Sequence, residues 1–179
     1  MKNEEQELIK KAQKGDSEAF GVLYDNHIKP IYRFVLLKTG NRADAEDITH
    51  QVFLSAWQNV KNYKTQGFPF SSWLYKIASN AVIDHWRTKK PSVSIELVSE
   101  NFLPSSDKHE ITLDDKLKAQ SIHAALVHLE PEQQNVIILK FVDELSNKEI
   151  AESLGKSEGA VRVIQHRAIK KLKKHLDAT

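Results

Sequence analysis

The 179-residue chain contains no cysteine. Disulfides, thiolate catalysis and cysteine zinc sites are therefore excluded, and a reducing compartment suits the chain. No apolar run approaches the ~20 residues that a membrane span requires. The first residues, MKNEEQELIKK, mix both charges and lack the apolar stretch of a signal peptide. A cytoplasmic protein without membrane insertion is expected. The eight histidines are scattered, with no ligand spacing such as H-E-x-x-H. A nucleophile elbow and a phosphate-cradling glycine loop are also missing, so no enzyme, catalytic residue, metal or cofactor is expected. Strand-like alternation is nearly absent as well.

What is present is helical periodicity almost throughout. A first helix is read over Glu4–Gln13, stopped by Gly15. A second follows a cap at Asp16 or Ser17, with Ala19, Phe20, Leu23, Tyr24, Ile28, Ile31, Tyr32, Val35 and Leu36 at helical spacing. Pro30 lies inside it and predicts a kink or break; Gly40 ends it. A third helix is read from Asp44 to about Val60. Its acidic first turn suits the positive end of the helix dipole, and Ile48, Val52, Phe53, Ala56 and Trp57 form its apolar stripe. After a loop with Gly67 and Pro69, a fourth is read over roughly Ser71–Lys89. Helices resume near Asp115 and run to Leu129. Pro131 takes an early position of the next, Ser146 caps a short helix ending at Gly155, and Ser157 caps a long last one. The expected fold is all-α: two helical domains, residues 1–90 and 116–179, joined by an extended acidic linker over 91–115.

Net charge is only +2, but its distribution is uneven. Residues 61–90 carry six Lys/Arg and one acidic residue, Asp84; residues 91–115 carry six acidic residues and one basic, Lys108. Residues 156–179 return to seven basic against two acidic. Two basic blocks separated by an acidic spacer point to contacts with nucleic acid.

The last block lies in a helix-turn-helix pattern. Counting from Asn147, Ala151 is the small fifth residue that lets the second helix pack closely. Gly155 is the turn residue and Val161 the buried anchor, with Ile150, Leu154 and Ile164 completing the apolar set. The exposed face of the second helix carries Arg162, His166, Arg167, Lys170 and Lys171, as a helix in contact with DNA requires. Ser157, Glu158, Ala160, Arg162 and Val163, near its N-terminus, are placed for base edges; Arg167 to Lys174 are placed along phosphates.

The stretch LEPEQQNVIILKFVDELSNKEIAESLGKSEGAVRVIQHRAIKKLKKHL resembles the −35-reading domain of extracytoplasmic-function (ECF) sigma factors of RNA polymerase. DAEDITHQVFLSAW, residues 44–57, is similar to the family's polymerase-binding helix, and FSSWLYKIASNAVIDHWR, residues 70–87, resembles its −10 recognition and strand-opening segment. The resemblance implies an alternative sigma factor that binds core polymerase and directs initiation at specific promoters. Core contacts, on the β′ clamp, would come from Asp44, Glu46, Asp47 and Gln51. The loop Lys64–Phe70, with Phe68 and Phe70, would capture an unstacked −10 base. Asn80, Asp84 and Arg87, about one turn apart, would share the −10 surface. The implied partners are core polymerase (β′ clamp and β flap) and promoter DNA, and an extended linker leaves room for an anti-sigma factor.

Two departures stand out. His50 and Gln51 replace the family's usual Gln-Glu, and Ile164 stands in the reading helix where Arg is frequent. The competing reading is a free-standing helix-turn-helix regulator whose N-terminal helices bind a ligand or dimerise.

Overall fold

The computed structural model describes residues 2–64, 69–88 and 121–176. Among them every regular element is helical. The acidic linker expected over 91–115, Phe68 and the start of the helix expected at Asp115 lie outside the described residues.

Each helix end follows from local chemistry. α1 (Lys2–Gln13) is followed by Gly15 at φ 94°, a conformation that glycine adopts without strain. The Gln13 amide donates to the carbonyls of Val60 (3.2 Å) and Tyr63 (2.7 Å), pinning α1 to the short 3₁₀ turn Val60–Asn62. α2 (Ser17–Thr39) starts on Asp16, whose carboxylate accepts from the Ala19 N–H at 3.0 Å. Gly40 at φ 64° closes α2. Asn41 then caps α3 (Arg42–Asn59), accepting from the Asp44 N–H at 2.9 Å. The helix thus begins two residues before the expected Asp44, which sits in the first turn.

α2 runs unbroken through Pro30, against the expected kink or break. Asn26, whose carbonyl loses its helical donor to the proline ring, lies on the exposed side where solvent can serve it. On either side of Pro30, Leu23 and Ile31 are buried in the same core, which holds the two segments in line.

α4 (Phe70–Thr88) completes the first group. α2 packs against α1, α3 and α4. Phe34, Leu23, Ile31, Ile48, Val52, Phe70 and Leu74 are fully buried among them. Aromatic pairs add to this core. Phe20 and Trp57 have ring centres 5.0 Å apart, and Tyr63 meets Phe70 edge-on at 5.4 Å.

In the second group, α5 covers residues 121–126. It stops short of Leu129, because residues 127–129 form a turn ahead of the next cap. α6 (Pro131–Phe141) has proline in its first turn and a reciprocal capping pair, Glu130 with Gln133. α7 (Asn147–Leu154) has the same device in Ser146 and Glu149, and Gly155 at φ 64° ends it. α8 (Glu158–Leu176) begins on Ser157, whose hydroxyl accepts from the Ala160 N–H at 3.2 Å. α6, α7 and α8 pack on one another around Ile138, Leu139, Ile150, Val161 and Ala168.

The two groups also pack on each other. α7 lies on α4 and α6 on α2. The His123 ring sits over Gly40 and hydrogen-bonds the Leu37 carbonyl at 2.9 Å. A methyl group at residue 40 would lie 2.2 Å from that ring. Gly40→Ala should therefore combine left-handed backbone strain with loss of the His123 contact, about 2–3 kcal/mol in urea unfolding. Gly15→Ala, with open space around it, should cost only the backbone term, about 1–2 kcal/mol.

Candidate nucleic-acid interface

Three helices carry the residues expected to work. On α3 the buried stripe Ile48, Val52 and Ala56 fixes the orientation of the opposite side. Asp47 and Gln51 are exposed there. Glu46 is half-buried and held by Arg42 at 2.6 Å. Asp44 is half-buried, with a carboxylate oxygen 3.5 Å from His85 Nε2 of α4. The expected quartet is therefore split, with Asp47 and Gln51 outermost. Leu54 continues their line one turn on and is 58% exposed. Leu54 was absent from the expected set, although the i, i+4, i+7 spacing from Asp47 places it on the same side of the helix.

On α4, Asn80, Asp84 and Arg87 are all exposed and share a face, with Arg87 3.6 Å from the Asp84 carboxylate. Lys64 is exposed at the start of the loop. Phe70 is not where base capture needs it. It is 1% exposed, packed against Tyr63, Trp73 and His27. As the first residue of α4 it anchors the helix to the core, so its expected role is corrected to a structural one. Trp86, next to Arg87 in sequence, is 51% exposed.

On α8 the anchors Val161 and Ala168 are buried. Arg162, Val163, His166, Arg167 and Lys170 are exposed, with Ser157 and Glu158 at the start and Ala160 half-buried. Glu158 stands 3.7 Å from Arg162. Ile164 is half-buried and packs on the core, so its side chain is spent on packing.

Two sigma-70 family models match the chain: region 2 over residues 23–91 and region 4 over residues 119–172. The ECF RNA polymerase sigma factor SigW of Bacillus subtilis is 32% identical over 182 residues, spanning 94% of each chain. The chain belongs to the ECF sigma factors. BldN of Streptomyces coelicolor, another ECF RNA polymerase sigma factor, is 35% identical over 170 residues, 93% of this chain and 63% of that protein. The structure of CnrH in complex with the cytosolic domain of CnrY shares the fold, with a TM-score of 0.73, 24% identity and 98% of both chains covered. A free-standing regulator with an unrelated N-terminal module is not favoured, because the region 2 match falls on those N-terminal helices.

Among the described residues of this sigma factor, no helix is long and apolar enough to cross a membrane, and no group of three or more His, Asp or Glu could hold a metal ion. Its strongest electrostatic perturbations lie between the two helix groups. Lys38 is buried, and its ammonium donates to Asn135 Oδ1 of α6. Burial without a paired carboxylate lowers its pKa to about 8. Arg33 donates from Nε (3.2 Å) and Nη2 (2.5 Å) to Asp143 Oδ1, just after α6. Burial raises the Asp143 pKa and Arg33 opposes that shift. The Tyr75 hydroxyl is driven well above the usual phenol range by burial, and further by Asp143.

Lys38 sets the sign of one pH dependence. Between about 8 and its ordinary 10.5, the unfolded chain keeps a proton that the folded chain has released. Stability therefore rises with pH in that window, by on the order of 3 kcal/mol if the whole gap is realised. The buried phenols act oppositely once unfolded tyrosines ionise near pH ~10, since Tyr63 is pushed up to about 12, mainly by burial. The urea midpoint should climb between pH ~8 and pH ~9.5, and Lys38→Met should flatten that climb.

Proposed function

We propose that this sigma factor docks on core RNA polymerase through the exposed stripe of α3, presents α4 to the −10 element and reads the −35 element through α8. On this reading residues 1–90 bind polymerase and the −10 element, residues 91–115 connect, and residues 116–179 bind the −35 element. The observation that carries it is the separation of faces. Asp47, Gln51 and Leu54 on α3, Asn80, Asp84 and Arg87 on α4, and the cationic side of α8 are each exposed on a helix whose other side is buried. Such faces make contacts without disturbing the core.

The physical roles differ. Asp47 and Gln51 supply charge and hydrogen bonding to the β′ clamp, and Leu54 an apolar centre of the kind that dominates protein interfaces. A cationic surface with an exposed ring suits single-stranded DNA, and Trp86 takes the stacking role from Phe70. Arg162 and Val163 reach base edges in a major groove, while His166, Arg167 and Lys170 run along phosphates. The β flap is the proposed second polymerase contact. The chain contributes no reacting group and acts by positioning. A relative of the same fold, RpoE of Bartonella quintana, has been solved with the anti-sigma factor NepR, and a partner of that class in the cytoplasm is proposed here.

Purified chain with core polymerase should produce promoter-specific run-off transcripts; binding to duplex DNA without any association with core would overturn the reading. Asp47→Lys should weaken core binding at least tenfold while leaving the affinity of the full chain for duplex promoter DNA unchanged. Arg162→Ala should cost ~1–3 kcal/mol on the preferred −35 sequence and little on others. An equal loss on every sequence would assign Arg162 to phosphate.

A further inference from the structure

A cavity of about 390 Å³ opens in the seam between the two helix groups. Small-molecule sites span ~300–1,000 Å³, so its size suits a modest ligand. α2 and α4 line one side; α5, the turn after it and the start of α6 line the other. The walls are mainly apolar, with Val82 and Ile83 of α4, Val127 and Pro131 of the second group, and the exposed ring of Trp86. Such walls hold the body of a ligand, and the few polar groups fix what its head group must be.

Most of those polar groups are already committed. Thr39 Oγ1 lies 3.0 Å from the Val35 carbonyl and 3.2 Å from that of Asn41. The Gln134 amide nitrogen donates to the carbonyls of Leu126 (3.0 Å) and Leu129 (3.2 Å), and His123 Nδ1 bonds that of Leu37. Two cations remain, Lys38 and Arg87. No acidic residue is among the described residues that line the cavity.

Lys38 is only 6% exposed. Among the described residues its ammonium meets dipoles and no carboxylate: Asn135 Oδ1, the carbonyl end of α2, and the Phe34 ring, 5.4 Å from Nζ to its centre. Its pKa of about 8 still leaves it protonated at neutral pH. A buried charge ordinarily has an opposite charge beside it, because dipoles return only part of the hydration it gave up. Arg87 and its partner Asp84, 3.6 Å away, are both exposed. That pair contributes little and yields readily to a better placed anion.

We propose that the cavity binds a small carboxylate with an apolar body, an aryl or acyl acid, whose head group pairs with Lys38 and whose body lies against Trp86, Ile83 and Val127. Arg87 meets the ligand from the solvent side. A monoanion balances the single buried ammonium, whereas the second charge of a phosphate would lack a buried partner. Lys38 belongs to the first helix group and Val127 to the second, so the ligand touches both. Its binding free energy adds to the stability of the folded chain.

The test uses the full-length chain at neutral pH, with 2-naphthoate and its uncharged isostere 2-naphthamide as calorimetric probes. 2-Naphthoate should bind at one site per chain, at least about tenfold more tightly than 2-naphthamide, and raise the thermal midpoint. In Lys38→Met the two probes should bind equally. Val127 is 54% exposed, a position at which substitution disturbs a fold little. Val127→Glu sets a carboxylate in the cavity wall and should weaken 2-naphthoate severalfold with an unchanged far-ultraviolet spectrum. Absence of 2-naphthoate binding, or equal affinity for the two probes in the wild-type chain, would overturn the proposal. So would a charge preference that survives Lys38→Met, or an affinity that Val127→Glu does not move. Binding that appears only when residues 91–115 are replaced by a glycine-serine segment of equal length would make the chain's own acidic linker the occupant, and overturns it equally.

Discussion

A buried amide needs partners on both its oxygen and its nitrogen, and Asn135 finds them only in the other half of the chain. Its oxygen takes a proton donor from Lys38 and its nitrogen gives one to Ser79. Those two residues belong to α2 and α4, so one side chain of α6 fixes three helices. The nearby apolar packing could be satisfied in several registers, because dispersion and area burial are not directional. The amide allows one. Its register places α7 on α4, and through α7 it sets where the start of α8 points. The seam owes its definition to hydrogen bonds whose water-exposed alternative is nearly as good.

The helices were legible because their signals are local. Asp16, Asn41, Ser146 and Ser157 cap, Gly40 and Gly155 terminate, and apolar residues recur at helical spacing. The helix-turn-helix was legible for the same reason, since Ala151, Gly155 and Val161 act within fifteen residues. Pro30 misled because the penalty of a proline is also local, whereas the core that spans it is not. Phe70 misled differently. An aromatic beside a basic loop can face solvent or core with the same neighbours in sequence, and only the positions of Tyr63 and Trp73 decide. The seam could not be read at all. Lys38, Ser79 and Asn135 are ordinary polar residues on helices and Asp143 lies in the turn after one, and their partners lie 56 to 110 positions away.

Charge is arranged with a similar division of labour. The cations of α8 near its start and end are tied back to acidic residues of its own domain, Arg162 beside Glu158 and Lys171 beside Glu130. Exposed pairs of this kind contribute little to stability. They exchange readily for phosphate, whose oxygens offer the same bidentate geometry to a guanidinium. α3 packs on α4, α4 on α7 and α7 on α8, so the helix with the acidic side and the helix with the cationic side are not packing neighbours in that series. A protein that must meet both a polymerase and a polyanion therefore avoids neutralising itself.

α8 keeps its obligations on separate sides. Val161, Ile164, Ala168, Ile169 and Leu172 face the core, while Arg162, Val163, His166, Arg167 and Lys170 face outward. Substitution at the second set costs the fold little, since exposed helix positions usually tolerate change within about 0.5 kcal/mol. If these outward residues read promoters as proposed, promoter preference can drift among descendants of this protein while its architecture stays fixed. Duplicated copies could acquire separate sets of target genes by changing a handful of codons on one side of one helix.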